Sequence, residues 1–296
     1  MTAMLTLEQS HAECRRIVRE SARNFYYSFI ALPRQKRRAI YAVYAFCRLC
    51  DDAVDEPSLT VDEKLRRLAE IRQLLKEAST TASTHPVFMA LTDAVARYRI
   101  PLRHFQEVVR GVEMDLTTRR YTTFEELRTY CYRVASAVGL ICVEIYGYRE
   151  PKVRDYAVDL GLAMQLTNIV RDVQEDLERD RIYIPLDEME RFGYSEGELK
   201  AGVVNEAFRH LMAFQAARAR EHFRKGLRLL PYLSPRSRTS PAVLAALYEK
   251  ILERIEARGF NVFDGRVSLS GREKYLLTAK TWLKSLMPAH VPETPS

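Results

Sequence analysis

Apolar residues recur every three to four positions along most of the chain, the period of a helix with one buried face. The alternation that marks strands is scarce. The pattern predicts helices over about 8–30, 34–55, 61–78, 85–98, 101–118, 123–147, 151–179, 203–230, 240–258 and 271–286. Pro33, Pro86, Pro101 and Pro151 fall at or just before predicted helix starts, and Gly147 falls at a predicted end. Tyr232–Pro241 is rich in Ser, Arg and Pro and reads as a loop. No short-period repeat and no linker divides the chain. The expected fold class is all-α: one large helical bundle over residues 1–287, with a disordered tail at 288–296.

Composition narrows this picture slightly. With 47% hydrophobic and 29% charged residues, the chain belongs with folded globular proteins and not with disordered ones. No apolar run reaches the length of a membrane span, and the N-terminus lacks the core of a signal peptide. The five cysteines, Cys14, Cys47, Cys50, Cys131 and Cys142, are odd in number and lie in helical patterns. That favours a reducing cytoplasm over a disulfide framework. Cys47 and Cys50 read as packing residues, with zinc the outside alternative. The net charge is +7, part of it between Arg209 and Arg228, where Glu221 is the only acid. A solvated helix face is the plainer reading, peripheral contact with an anionic inner membrane face the sharper one. No nucleic-acid motif accompanies the charge.

Two acidic patterns change the picture more. Asp51 and Asp55 are four apart in a helical pattern, and Tyr44 and Arg48 continue the same face. Asn168, Asp172 and Asp176 are spaced by four and four, with Gln165 and Gly161 one and two turns earlier and Arg171 alongside. Like charges at this spacing repel and weaken an isolated helix. A solvated surface would explain either pattern alone. Two such patterns on otherwise apolar helices suggest a hard divalent cation, and Mg²⁺ is commonly held by a few carboxylates together with substrate phosphates. Asp51, Asp55, Asn168, Asp172 and Asp176 are the candidate metal ligands.

At these residues the chain resembles the squalene and phytoene synthase family. The runs CRLCDDAVD, YCYRVASAVG, QLTNIVRDVQED and DRIYIP carry the likeness, which extends from about Ser21 to Leu286. It implies a bundle with a central apolar cavity and with the two aspartate helices facing each other across the mouth. It implies that Asp51, Asp55, Asp172 and Asp176 bring Mg²⁺ to two prenyl diphosphate substrates. Gln165 and Asn168 would line that site, Arg48 and Arg171 would lie near the diphosphates, and Tyr130 near the reacting carbons. Tyr44 and Tyr248 match further aromatic positions. The family's early S-K-S-F is replaced by Ala22-Arg23-Asn24-Phe25. Arg23 keeps the positive charge and Asn24 offers a donor, but the hydroxyls are gone. Val134, Ala135, Ala137, Val138 and Ile141 are expected to line the chain-binding tunnel.

The resemblance implies head-to-head joining of two allylic diphosphates through a cyclopropyl diphosphate. The similarity is greatest to bacterial members. The branch expected here takes two C15 substrates to presqualene diphosphate and squalene, and only squalene formation needs NADPH. The alternative is phytoene synthase, with two C20 substrates. Two other classes compete. A non-catalytic helical assembly factor would be free to lose the aspartates, yet all four remain. A terpene cyclase or chain-elongating enzyme could own Asp51-Asp52-Ala53-Val54-Asp55, but not the second cluster and YCYRVASAVG together.

Overall fold

The structure is a computed structural model describing residues 5–21, 25–77 and 83–286. Arg23, Asn24 and the tail expected at 288–296 lie outside the described residues. In chain order the long helices are α1 (Leu7–Ser21), the short α2 (Phe25–Phe29), α3 (Arg34–Asp55), α4 (Val61–Glu77), α5 (Pro86–Tyr98) and α6 (Leu102–Thr117). Next come α7 (Phe124–Cys131), a π-helical turn (Tyr132–Ser136), α8 (Ala137–Tyr146) and α9 (Val153–Arg171). Three short helices follow, α10 (Val173–Glu178), α11 (Leu186–Arg191) and α12 (Glu196–Lys200). The chain closes with α13 (Glu206–Gly226), a 3₁₀ segment (Leu227–Tyr232), α14 (Pro235–Ala257) and α15 (Gly271–Leu286). Among the described residues no strand forms, and only two isolated bridges occur, Arg120 to Ile182 and Tyr148 to Leu233. No helix among them is long and apolar enough to cross a membrane.

Punctuation sets the boundaries. Pro33 precedes α3, and Glu56 turns extended just before Pro57. Pro86 opens α5, and Arg99 closes it in the left-handed region with its N–H on the Val95 carbonyl. α9 is buried around most of its circumference, as a central helix must be. Two glycines bring its neighbours close. A Cβ on Gly226 of α13 would lie 2.6 Å from the Leu160 nitrogen of α9. A Cβ on Gly161 of α9 would lie 2.6 Å from Cα of Ser136 in the π turn.

Four expectations need correction. The helix expected at 123–147 contains the π turn, where the Ala137 N–H reaches the Tyr132 carbonyl five residues back. The helix expected at 151–179 kinks at Asp172, although the Asp176 N–H still bonds the Asp172 carbonyl at 2.9 Å. α11 and α12 were not anticipated, although Ser195 and Glu198 form a capping box in plain view. The supposed loop at Tyr232–Pro241 is helical from Pro235 onward. Its polar residues are buried because partners inside the bundle satisfy them. Ser237 receives Lys36 Nζ at 2.9 Å, Ser240 meets the Tyr146 hydroxyl at 3.0 Å and Thr239 meets Ser285 at 2.6 Å. In the basic stretch from Arg209 to Arg228, Arg209, His210, Arg224 and Arg228 are exposed, and several of its cations are paired. Arg218 pairs with Glu188, Arg220 with Glu256, Arg224 with Glu221 and His222 with Asp159.

Candidate active site

A cavity of about 380 Å³ runs down the bundle between α3, α6, α8, α9, α14 and the π turn. Most of its wall is apolar. α3 supplies Ile40, Val43 and Cys47, α6 supplies Val108 and Val112, and α8 supplies Val138, Cys142 and Val143. Val134 of the π turn, Leu160 and Met164 of α9, and Pro241 and Leu244 of α14 extend it, with Phe29 of α2. The polar wall residues are Tyr44, Arg48 and Asp51 from α3, Asp115 from α6, Gln165 and Asn168 from α9, and Tyr130, Tyr146 and Tyr248. A charged group and an apolar chain can therefore share one cavity.

The acidic groups are crowded. Asp51 faces the cavity, so water can reach it, yet protein surrounds it closely. Burial and the neighbouring Asp55 push its carboxyl up to about 7. Burial and Asp172 push Asp176 up to about 7 as well. Asp115 stands electrically between the clusters, since both Asp51 and Asp176 feel its charge. Burial raises Asp115 too, while Arg181 and two tyrosine hydroxyls hold it down. Basic residues pair with both clusters from outside. Arg179 Nη1 lies 3.4 Å from Asp55, and Arg266 Nη2 lies 3.0 Å from Asp172.

Tyr130 is buried, and its hydroxyl donates to Asp115 Oδ2 at 3.2 Å. Tyr183 donates to Asp115 Oδ1 at 2.7 Å, and the two hydroxyls are 3.3 Å apart. The Tyr130 and Tyr183 rings stack at 5.1 Å. Burial and then Asp115 hold the Tyr130 phenol well above its usual range, so it stays protonated.

Tyr44, Arg48, Asp51, Tyr130, Val134, Val138, Gln165, Asn168 and Tyr248 all reach the cavity wall. Asp55, Asp172 and Asp176 do not line it; Asp55 pairs with Arg179, Asp172 with Arg171, and Asp176 feels the charge of Asp172. Arg171 is buried with its guanidinium on its own neighbour, Asp172, by two bonds of 2.6 Å. It braces that carboxylate and is not part of the wall. Arg48 likewise pairs with Asp52. Ala137 is a correction. It is fully buried and absent from the wall, as is Ile141, because the π turn rotates α8 to present Val138 and Cys142 instead. Gly161 lies on the cavity wall, and its missing side chain makes room for the π-turn backbone. Asp115, Arg179, Arg181, Tyr183 and Arg266 were missed. Asp115 had a signal: it lies seven residues after Val108 and three after Val112, an acid on the apolar face of α6.

Among the described residues, no three His, Cys, Asp or Glu side chains converge as a ready metal cage. The donor set still suits a hard cation. Asn168 Oδ1 is buried without a hydrogen-bond partner, while its Nδ2 donates to Gln165 at 3.2 Å. Burial, and then a neighbouring aspartate, push Asp51 and Asp176 toward protonation, and a cation would relieve the repulsion.

Comparison with known proteins gives the same answer from sequence and from structure. The Squalene/phytoene synthase family model matches residues 18–273. A phytoene synthase of Arthrospira platensis is 37% identical over 279 residues, 90% of each chain. A phytoene synthase of Mycobacterium bovis is 38% identical over 294 residues, 98% of this chain and 96% of the other. A dehydrosqualene synthase solved with a ligand superposes with a TM-score of 0.87 at 30% identity, covering 94% of this chain and 98% of that one. A squalene synthase of Alicyclobacillus acidocaldarius gives 0.81 at 29% identity, covering 86% and 96%. The reaction class these findings support is head-to-head condensation of prenyl diphosphates. The chain belongs to the squalene/phytoene synthase family.

Proposed function

We propose that the protein is a phytoene synthase, joining two C20 geranylgeranyl diphosphates head to head. The observation that carries the choice is the naming of its near-full-length relatives, phytoene synthases at 37–38% identity. The C15 branch favoured by the sequence reading becomes the second possibility. The superposition on the dehydrosqualene synthase is what speaks for it.

In this reading the diphosphates lie at the polar wall and the prenyl chains along the apolar one. Asp51, Asp55, Asn168, Asp172 and Asp176 would hold Mg²⁺, and Asn168 Oδ1, which lacks a hydrogen-bond partner, suits that role. Bound there, the ion neutralises charge developing on the departing diphosphate. Mg²⁺ is commonly held by one or two carboxylates together with substrate phosphates, so three converging side chains would not be required. Arg48 adds a charge-assisted donor beside the phosphates, and Arg171 and Arg266 fix the Asp172 carboxylate. Arg23 and Asn24 are proposed as further diphosphate contacts.

Tyr130 lies on the cavity wall, with its hydroxyl anchored on Asp115 and Tyr183. There it orients the leaving group or takes part in proton loss. Val134, Val138, Leu160 and Leu244 keep water from the allylic cation. Each turnover releases two diphosphates. Formation of phytoene needs proton loss but no hydride, so NADPH has no part in this reading.

The test is incubation of purified protein and Mg²⁺ with geranylgeranyl or farnesyl diphosphate, each with and without NADPH. A C40 hydrocarbon from geranylgeranyl diphosphate, indifferent to NADPH, is expected. A C30 product from farnesyl diphosphate, with none from the C20 substrate, overturns the assignment.

A further inference from the structure

α15 is built inside out. Tyr275, Leu276, Trp282 and Leu283 are 65%, 56%, 44% and 61% exposed. With Ala279 they form one stripe on the outer face, by the three- and four-residue spacing of a helix. The inward face is mostly polar. Thr278 Oγ1 is buried without a partner, and buried Ser285 bonds Thr239 and accepts from Arg238. A bundle helix ordinarily does the reverse. Four large apolar side chains clustered on one outward face of one helix are not scattered surface residues.

Apart from Glu273, the charges on α15 itself are of one sign. Arg272, Lys280 and Lys284 are exposed on the outer half of the helix. The acid of this helix, Glu273, is bound to Arg254 and caps Ser270. Tyr and Trp beside Leu, with flanking Lys and Arg, is the composition that settles at a lipid headgroup boundary. A second copy of the same surface would bring like charges together.

Position adds to this. α15 packs on α14 and also touches α2. Those helices place Pro241, Leu244 and Phe29 in the apolar cavity wall. Ile30, directly after α2, is 47% exposed.

We propose that α15 docks the protein on an anionic bilayer surface, lying in the headgroup plane with Tyr275, Leu276, Trp282 and Leu283 inserted and the basic residues on lipid phosphates. The contact is monotopic. If the head-to-head reading also holds, it places the helices walling the apolar cavity next to the phase into which a hydrocarbon product partitions.

Trp282 is the only tryptophan in the chain, so its emission reports this face alone. The experiment mixes the full-length protein at low salt with phosphatidylcholine vesicles, with and without phosphatidylglycerol. Sedimentation with the anionic vesicles and a blue shift of Trp282 emission are expected. Leu276→Glu/Leu283→Glu should bind about tenfold or more weakly. Lys280→Gln/Lys284→Gln should lose the preference for anionic lipid while keeping the apolar face. All these side chains face outward, and circular dichroism checks that the variants fold. Absence of binding overturns the proposal, and so does undiminished binding by the double Glu variant. Trp282 emission already blue before lipid is added also overturns it. A dependence on protein concentration would then identify a second copy as the cover, and a red shift in a chain ending at 286 would identify residues 287–296. None of these readouts involves turnover, so failure here leaves the catalytic assignment intact.

Discussion

Tyr130 and Tyr183 aim two hydroxyls at one half-buried carboxylate, Asp115, at 3.2 and 2.7 Å. Neither tyrosine can turn away without leaving a buried polar group unpaired. Tyr130→Phe should keep the stack on Tyr183 and lose only the oxygen. The expected result is a kcat about 10²-fold lower, with KM within a few fold. Steady-state kinetics decide: an unchanged kcat with a raised KM would make Tyr130 a binding residue. At this scale the sequence was only partly readable. Paired aspartates announce themselves by their spacing. Asp115 has no partner in the chain order and becomes visible only as an acid on the apolar face of α6. Arg179 and Arg266 reach Asp55 and Asp172 from 124 and 94 residues away, and spacing carries no trace of such contacts.

The π turn is the element that decides what faces the cavity. One extra residue per turn shifts the register of α8, so Val138 lines the wall and Ala137 turns into the core. Helical periodicity cannot register that shift in advance. Two predictions follow from the packing around it. Gly161→Ala would press a methyl to 2.6–2.8 Å from the backbone of Ala135 and Ser136. It should destabilise the protein by about 1–3 kcal/mol in urea unfolding. Gly197→Ala, whose nearest neighbour would be 3.8 Å away, should not destabilise it. If the two variants unfold alike, the close approach is not what holds the turn. The second prediction concerns chain length. Val138→Phe narrows the tunnel and should reduce use of geranylgeranyl diphosphate before that of farnesyl diphosphate, since forcing methylenes into packed side chains costs about 1–3 kcal/mol. Ala137→Phe should instead impair folding and leave the ratio between surviving products unchanged. Competition between equal amounts of the two substrates measures both. An unaltered ratio in the Val138 variant would place the selectivity floor on another helix.

Across the whole molecule, the all-helical class and most long helices were legible because amphipathic periodicity and proline placement act locally. The polar start of α14 was not, because Ser237, Thr239 and Ser240 are satisfied by Lys36, Ser285 and Tyr146, residues distant in the chain. The charge balance shows the same division. The chain is cationic overall, yet its acids crowd beside one cavity, where folding works against them. Asp51 and Asp176 each rise from 3.8 to about 7 on folding. An acid raised in the folded state takes up protons as the chain folds. Its share of stability is complete below about pH 3.8 and is lost as pH rises through about 7. Buried His11 and His104 and half-buried His85 act oppositely: burial lowers them below 6.5, so acidification works against the fold. A single pH–stability curve therefore mixes both effects, and a difference between variants separates them. Without divalent cation, Asp51→Asn should be more stable than the parent at pH 8, and the margin should shrink by pH 5. After allowance for water reaching Asp51 through the cavity, the change is on the order of 1 kcal/mol. The same variant should lose turnover at limiting Mg²⁺, so stability and activity move in opposite directions. Mg²⁺ should raise the parent's melting temperature more at pH 8 than at pH 5, where protons already relieve the repulsion, and should do less for the variant at both. Thermal unfolding at the two pH values, with Mg²⁺ and with chelator, measures all of this. Equal Mg²⁺ stabilisation of parent and variant at pH 8 would remove Asp51 from the metal site.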